Sequence, residues 1–259
     1  MKKIAVLLIL CSFFASSASA ETQQEERKAA IIIDGFGGGI GGVKDFLEGD
    51  IPITAAVMPF TDQTAQHAEW AHENGFEVMV HLPMEPKRGK KSWLGPKPIT
   101  TNLSSEEVRK RVNEAIDSVP YAKGLNNHMG SRAVEDEGIV REIVKIAKER
   151  KLYIVDSGTS PESKFPIIAK ELGVPLIKRD VFLDDISSVS HVRRQMKKLA
   201  LITEQQGRGI AIGHVGVTGK VCSAGILQEK GYFEEKGIRI APVSEIISSE
   251  IRKEYYPFY

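Results

Sequence analysis

The sequence predicts an α/β fold: a distorted β/α barrel of about seven parallel strands. Three observations lead there. Short, almost uninterrupted apolar runs alternate with amphipathic stretches along most of the 259 residues, the pattern of a parallel sheet covered by helices. Seven or so such units follow one another without a linker-like break in composition, which favours a closed or partly closed barrel. The polar residues that interrupt the apolar runs do so mostly at their C-terminal ends, which in such a fold share one face. The open doubly wound sheet is the rival architecture.

Taken in order, the chain begins MKKIAVLLILCSFFASSASA. Lys2 and Lys3, an apolar run over 4–15 and the small residues Ala18-Ser19-Ala20 are the anatomy of a signal peptide, so residues 1–20 are expected to be cleaved near Ala20 and the protein exported. A polar lead-in, 21–28, precedes a single domain over 29–259. Its strands are expected at 29–34, 51–58, 76–81, 152–156, 174–177, 208–213 and 238–241, with a short one near 122–126. Helices are expected at 62–74, 104–118, 137–150, 161–172, 187–206 and 243–252. Ser104 and Glu107 form a capping box, and Gly75, Gly173, Gly207 and Gly237 stand where helices end in a left-handed residue. No segment after the signal is long and apolar enough to span a bilayer.

The charge is +1 over the whole chain and falls to near −1 without Lys2 and Lys3. That gives no electrostatic case for nucleic acid as a partner. Of two cysteines, only Cys222 lies beyond the signal, so an exported chain would depend on its core rather than on an internal disulfide.

Chemistry collects at the strand ends. Asp34, His81 and Asp156 end strands, His214 follows GIAIG, and His128 in GLNNHMGS follows the short strand. Three of six histidines and two aspartates on one rim form a metal or acid/base constellation. His67, His72 and His191 read as surface residues. Arg179 and Asp180 are placed to brace a catalytic group, a plain salt bridge being equally consistent with their sequence. Residues 83–103 carry five basic residues, four prolines and Trp93; loops of this length often serve as lids or binding loops. No G-x-S-x-G elbow supports a serine nucleophile. Gly37, Gly39 and Gly42 satisfy a dinucleotide-loop spacing, but Asp34 would oppose a pyrophosphate and the helix that follows is short.

The segments IIIDGFG, ITAAVMPF, EVMVHLPMEP, GLNNHMGS, VDSGTS, RDVFLD and AIGH, in that order, resemble the divergent polysaccharide deacetylase family, relatives of the NodB-type carbohydrate esterases. The resemblance implies a NodB-like barrel acting on N-acetylated glycans. It implies Asp34 as general base and His214 as general acid, and it places Gly35 where a second, metal-binding aspartate stands in ordinary members. His81 is retained as a ligand, Glu85 occupies the place of the second histidine, and His128 is supplied nearby. A substitute metal set is therefore Asp34, His81 and His128 with Glu85 as a fourth or water-bridged partner, suited to Zn²⁺. Glu85 or Asp156 would serve as base if Asp34 binds the metal. Trp93, Asn127, Arg179 and Asp180 are the candidate substrate contacts. The function expected is metal-dependent removal of N-acetyl groups from an extracytoplasmic glycan such as peptidoglycan. The alternative is a catalytically impaired module that binds glycan, or a protein partner, in the cell envelope.

Overall fold

A computed structural model of the chain describes residues 26–39 and 41–248. The expected signal peptide, most of the lead-in and the last residues of the expected 243–252 helix lie outside them.

Among the described residues nine strands form one sheet: β1 (Arg27–Phe36), β2 (Thr54–Val57), β3 (Glu77–Met84), β4 (Ala122–Met129), β5 (Tyr153–Asp156), β6 (Leu176–Lys178), β7 (Val181–Phe182), β8 (Arg208–His214) and β9 (Ile238–Ile240). Their order is β6-β5-β4-β3-β2-β1-β8-β7, with β9 against β1, and all pairings are parallel. The ends of that order, β6 and β7, are separated in sequence by Arg179 and Asp180 alone. Eight strands laid flat would span roughly 34 Å, whereas three Cα steps cover at most about 11 Å. The sheet must therefore curl until its edges nearly meet, and the expected barrel is present with a seam at Arg179-Asp180.

The helices are α1 (Val43–Leu47), α2 (Thr64–Glu73), α3 (Ser105–Ser118), α4 (Glu137–Glu149), α5 (Phe165–Leu172), α6 (Val189–Gln206) and α7 (Gly219–Glu235). The Ser104 hydroxyl accepts from the Glu107 N–H and starts α3 as expected, while Asp136 does the same for α4 through Ile139. The four expected C-terminal glycines all have left-handed φ. Helix α7 is absent from the sequence expectation: its glycines and scattered polar residues blur the 3.6-residue period. Strand β7, two residues long, carries no run for periodicity to detect. Strand β4 runs to Met129, so His128 lies within it rather than after it.

Two buried layers separate by strand parity. Ala29, Ile31 and Ile33 pack outward with Phe46, Val112 and Ile143 of the helices. Ala30, Ile32, Met79, Val155, Ile210 and Ile212 pack with one another, inside the barrel. Val243, Ile246 and Ile247, from a helical stretch over 243–248, join this inner layer and plug the end opposite the strand C-termini. Alternation along a strand thus gives each rim residue a side: Asp34, His81, Asn126, His128 and His214 continue the luminal series, whereas Asn127 and Asp156 continue the outward one.

Candidate active site

Asp34 on β1 and His214 on β8 are direct register partners, so their side chains leave neighbouring strands on the same, luminal side. Asp34 is buried. Burial raises its pKa to about 6, the nearby His214, Asn126 and His128 opposing that rise without cancelling it. His214 is held from behind by Asp184, which follows β7. His214 Nδ1 lies 2.9 Å from Asp184 Oδ1, the His214 N–H donates to Oδ2 at 3.0 Å, and the Thr218 hydroxyl donates to Oδ2 at 2.6 Å. Burial pulls the His214 pKa down, but the bond to Asp184 and the charges of Asp34 and Asp184 outweigh it, so the net shift is upward. Asp184 moves the opposite way: burial raises it, and the bonds from His214 and Thr218 carry it below the ordinary value. The imidazole consequently keeps Nδ1–H toward Asp184 and offers Nε2–H to the lumen when protonated.

On the other side of Asp34 runs a chain of contacts. Asn126 Nδ2 donates to Asp34 Oδ1 at 2.9 Å. Asn126 Oδ1 lies 2.8 Å from His81 Nδ1, His81 Nε2 lies 3.0 Å from His128 Nδ1, and His128 Nε2 lies 2.8 Å from the carbonyl oxygen of Trp93. Burial lowers His81 to about 3 and His128 to about 4, so both are neutral near pH 7 and carry one N–H each. The outer two contacts end on carbonyl oxygens, which only accept, and they therefore claim both protons. His81 Nε2 and His128 Nδ1 are left facing each other without one. Two bare imidazole nitrogens at this spacing are a donor pair for a cation, while the buried Asp34 carboxylate lies at the other ring nitrogen, 3.6 Å from His81 Nδ1.

The remaining candidates divide. The Glu85 carboxylate accepts from the Thr101 N–H at 2.7 Å and hydroxyl at 2.8 Å, and Arg132 is 3.5 Å away. Among the described residues no group of three His, Cys, Asp or Glu side chains is gathered at metal-holding spacing. Asn127 spans β4 and the loop after β5, donating to Met129 O and Thr159 Oγ1 and accepting from the Ser157 N–H. Asp156, fully buried, accepts from the Gly158 N–H through Oδ1, while its Oδ2 has no partner. Arg179 donates to Ser157 O at 2.7 Å and feels the charges of Asp156 and Asp34. Asp180 accepts from the Ile210 N–H at 2.8 Å and lies 3.9 Å from Arg208, four residues below His214 along β8. Trp93, 58% exposed, stands in the loop after β3, whose base is tied down by Ile99 N–H to Pro83 O and Glu85 N–H to Ile99 O.

Two histidines expected at the surface are buried. His67 accepts from the Gly37 N–H at 2.8 Å, and His191 lies 2.6 Å from Asp185; His72 is exposed as expected. The glycine-rich turn is thereby tied to α2 and to Thr61, which donates to Gly37 O. Gly35 has φ 96° and sits where the β1–β2 register shifts between Asp34 and Phe36, a glycine bulge. Sequence reasoning singled out neither Asn126 nor the pairing of Asp184 with His214.

A family model for divergent polysaccharide deacetylases matches residues 31–247. Over 162 residues, 62% of this chain, the sequence is 35% identical to the uncharacterized protein YibQ of Escherichia coli K12, covering 50% of that protein. An uncharacterized protein of Haemophilus influenzae is 34% identical over 162 residues, 57% of its length. The chain thus spans about half the length of the curated relatives it matches. In fold it is similar to the crystal structure of an uncharacterized protein from Agrobacterium tumefaciens C58, with a TM-score of 0.78, 21% identity and coverage of 87% of this chain and 91% of that one.

Proposed function

The chain belongs to the divergent polysaccharide deacetylase family, and from that premise we propose that it hydrolyses the acetamide of an N-acetylated glycan outside the cytoplasm, peptidoglycan being the first substrate to try. The observation that carries the reading is the adjacency of Asp34 and His214 on β1 and β8, with opposite proton affinities to exploit. A carboxylate raised to about 6 is ionised at neutral pH yet basic enough to take a proton from water as its oxygen attacks the acetyl carbon. The resulting tetrahedral intermediate collapses when the C–N bond breaks. An amine is a poor leaving group unless protonated, and His214 Nε2–H supplies that proton while Asp184 stabilises the imidazolium. Acetate and a free amino sugar leave, and the proton held by Asp34 returns to solvent.

The bare nitrogens of His81 and His128 are the atoms that would hold a divalent cation, Zn²⁺ by ligand type. Such an ion, when bound, supplies Lewis-acid polarisation of the acetyl oxygen. Trp93 and Lys90, whose ammonium lies 5.8 Å from the indole centre, offer a stacking platform for a sugar ring beside the mouth.

The test is acetate release from N-acetylated oligosaccharides by the purified protein, with chelator and with added zinc, alongside Asp34→Asn and His214→Ala. Release that persists in both variants would sink the assignment. Gly35, standing where the resemblance sets a second, metal-binding aspartate, favours a second reading, a glycan-binding module without turnover. Peptidoglycan pull-down with no acetate release under any metal condition would place the chain there.

A further inference from the structure

Asn126 is fully buried on the luminal face of β4, and both ends of its amide are engaged. The Asp34 carboxylate can only accept, so the amide nitrogen must face Asp34 and the oxygen must face His81. That oxygen in turn accepts only a proton carried on His81 Nδ1. Which nitrogen of a neutral imidazole bears the proton is decided by the bond its other side makes, and here the deciding bond is to Asn126. A histidine free of such a partner prefers the Nε2–H form, which would put a hydrogen on the atom facing His128.

From this we infer that Asn126 is a positioning residue: it locks His81 in the Nδ1–H form, keeps Nε2 bare toward His128, and ties Asp34 to the same rigid strand. For a neutral ring the tautomer follows from the contacts; its consequence for cation binding rests on the functional reading above. The Trp93 carbonyl performs the matching task for His128, so the pair is set from both sides by amide oxygens rather than by carboxylates. Partners of this kind around metal-binding histidines influence affinity about 10–100-fold.

The experiment reads the side-chain ¹⁵N signals of His81 in the full-length, chelator-treated protein, then zinc affinity by competition with a chromophoric chelator. Wild type is expected to show Nδ1–H. Asn126→Leu is expected to show Nε2–H and to bind zinc about 10–100-fold more weakly. Asn126→Asp, which shares one proton with Asp34 and still accepts from His81, is expected to keep Nδ1–H. Nε2–H in wild type overturns the inference, as does a leucine variant with an unaltered tautomer or unaltered zinc affinity. If the leucine variant does not fold, loss of Nδ1–H in the aspartate variant overturns it instead. Wild type that binds no zinc sinks the cation reading, and the tautomer measurements then decide the inference by themselves.

Discussion

Asp34 and His214 occupy the same rung of two neighbouring parallel strands, β1 and β8, and each shifts the other's proton affinity toward the charged form. In the proposed reaction the pair is a base and an acid in one frame, Asp34 raised to about 6 and His214 raised above its ordinary value. The rate is expected to rise with pH through about 6 as Asp34 ionises and to fall at higher pH as His214 loses its proton. A bell-shaped kcat/KM profile would report the two limbs; a profile without an acidic limb near pH 6 would remove Asp34 as base.

Asp184→Asn should move the alkaline limb. The carboxylate supplies the hydrogen bond and part of the charge that raise His214, so the amide leaves burial to win and the limb shifts to lower pH. Turnover is expected to fall about 100-fold. KM should change little, because Asp184 lies behind the histidine. An unchanged alkaline limb would show that Asp184 serves the loop rather than the acid.

Much of the fold was legible because strand ends, caps and loop length are local properties. Asp34, His81 and His214 are found at the rim since an ionisable residue closing an apolar run has few other reasons to be there. What sequence could not supply was the side of the sheet. Both faces of a barrel strand are apolar, so nothing in GLNNHMGS told Asn126 from Asn127, yet one faces the lumen and the other the helix layer. Parity offered a signal, since Asn126 stands two before His128 and must share its face, but it becomes usable only once one luminal residue is known. Asp184 was hidden for another reason. Its partner is 30 residues away, across a strand too short to register as one.

Gly35 has a backbone role besides the missing side chain. The resemblance marks it as a lost metal-binding aspartate, but its φ of 96° and the shifted register make it a bulge that sets the course of the chain after Asp34. Gly35→Asp is expected to cost about 1–2 kcal/mol, lowering Tm by roughly 2–4 °C for each kcal/mol, with no gain in zinc affinity. A stable variant with tighter zinc binding would mean that the bulge can flatten and that the position is a vacant ligand site after all.

The metal-free protein should be acid-labile in a defined window. His81 and His128 are depressed to about 3 and about 4, whereas in the unfolded chain both titrate near 6.5. Below that value the unfolded state takes up two protons that the native state refuses, so stability falls as pH falls. Asp34 acts in the opposite sense: raised to about 6, it binds a proton in the native state before the unfolded carboxyl does near 3.9. Between about 6 and 4 these three groups together differ by one proton, worth about 1.4 kcal/mol per pH unit. Urea titrations of chelator-treated protein from pH 7 to 4 measure that slope. Asp34→Asn removes the opposing group and should steepen it, even as it abolishes turnover. A slope that flattened in the variant would reverse the assigned direction of the Asp34 shift.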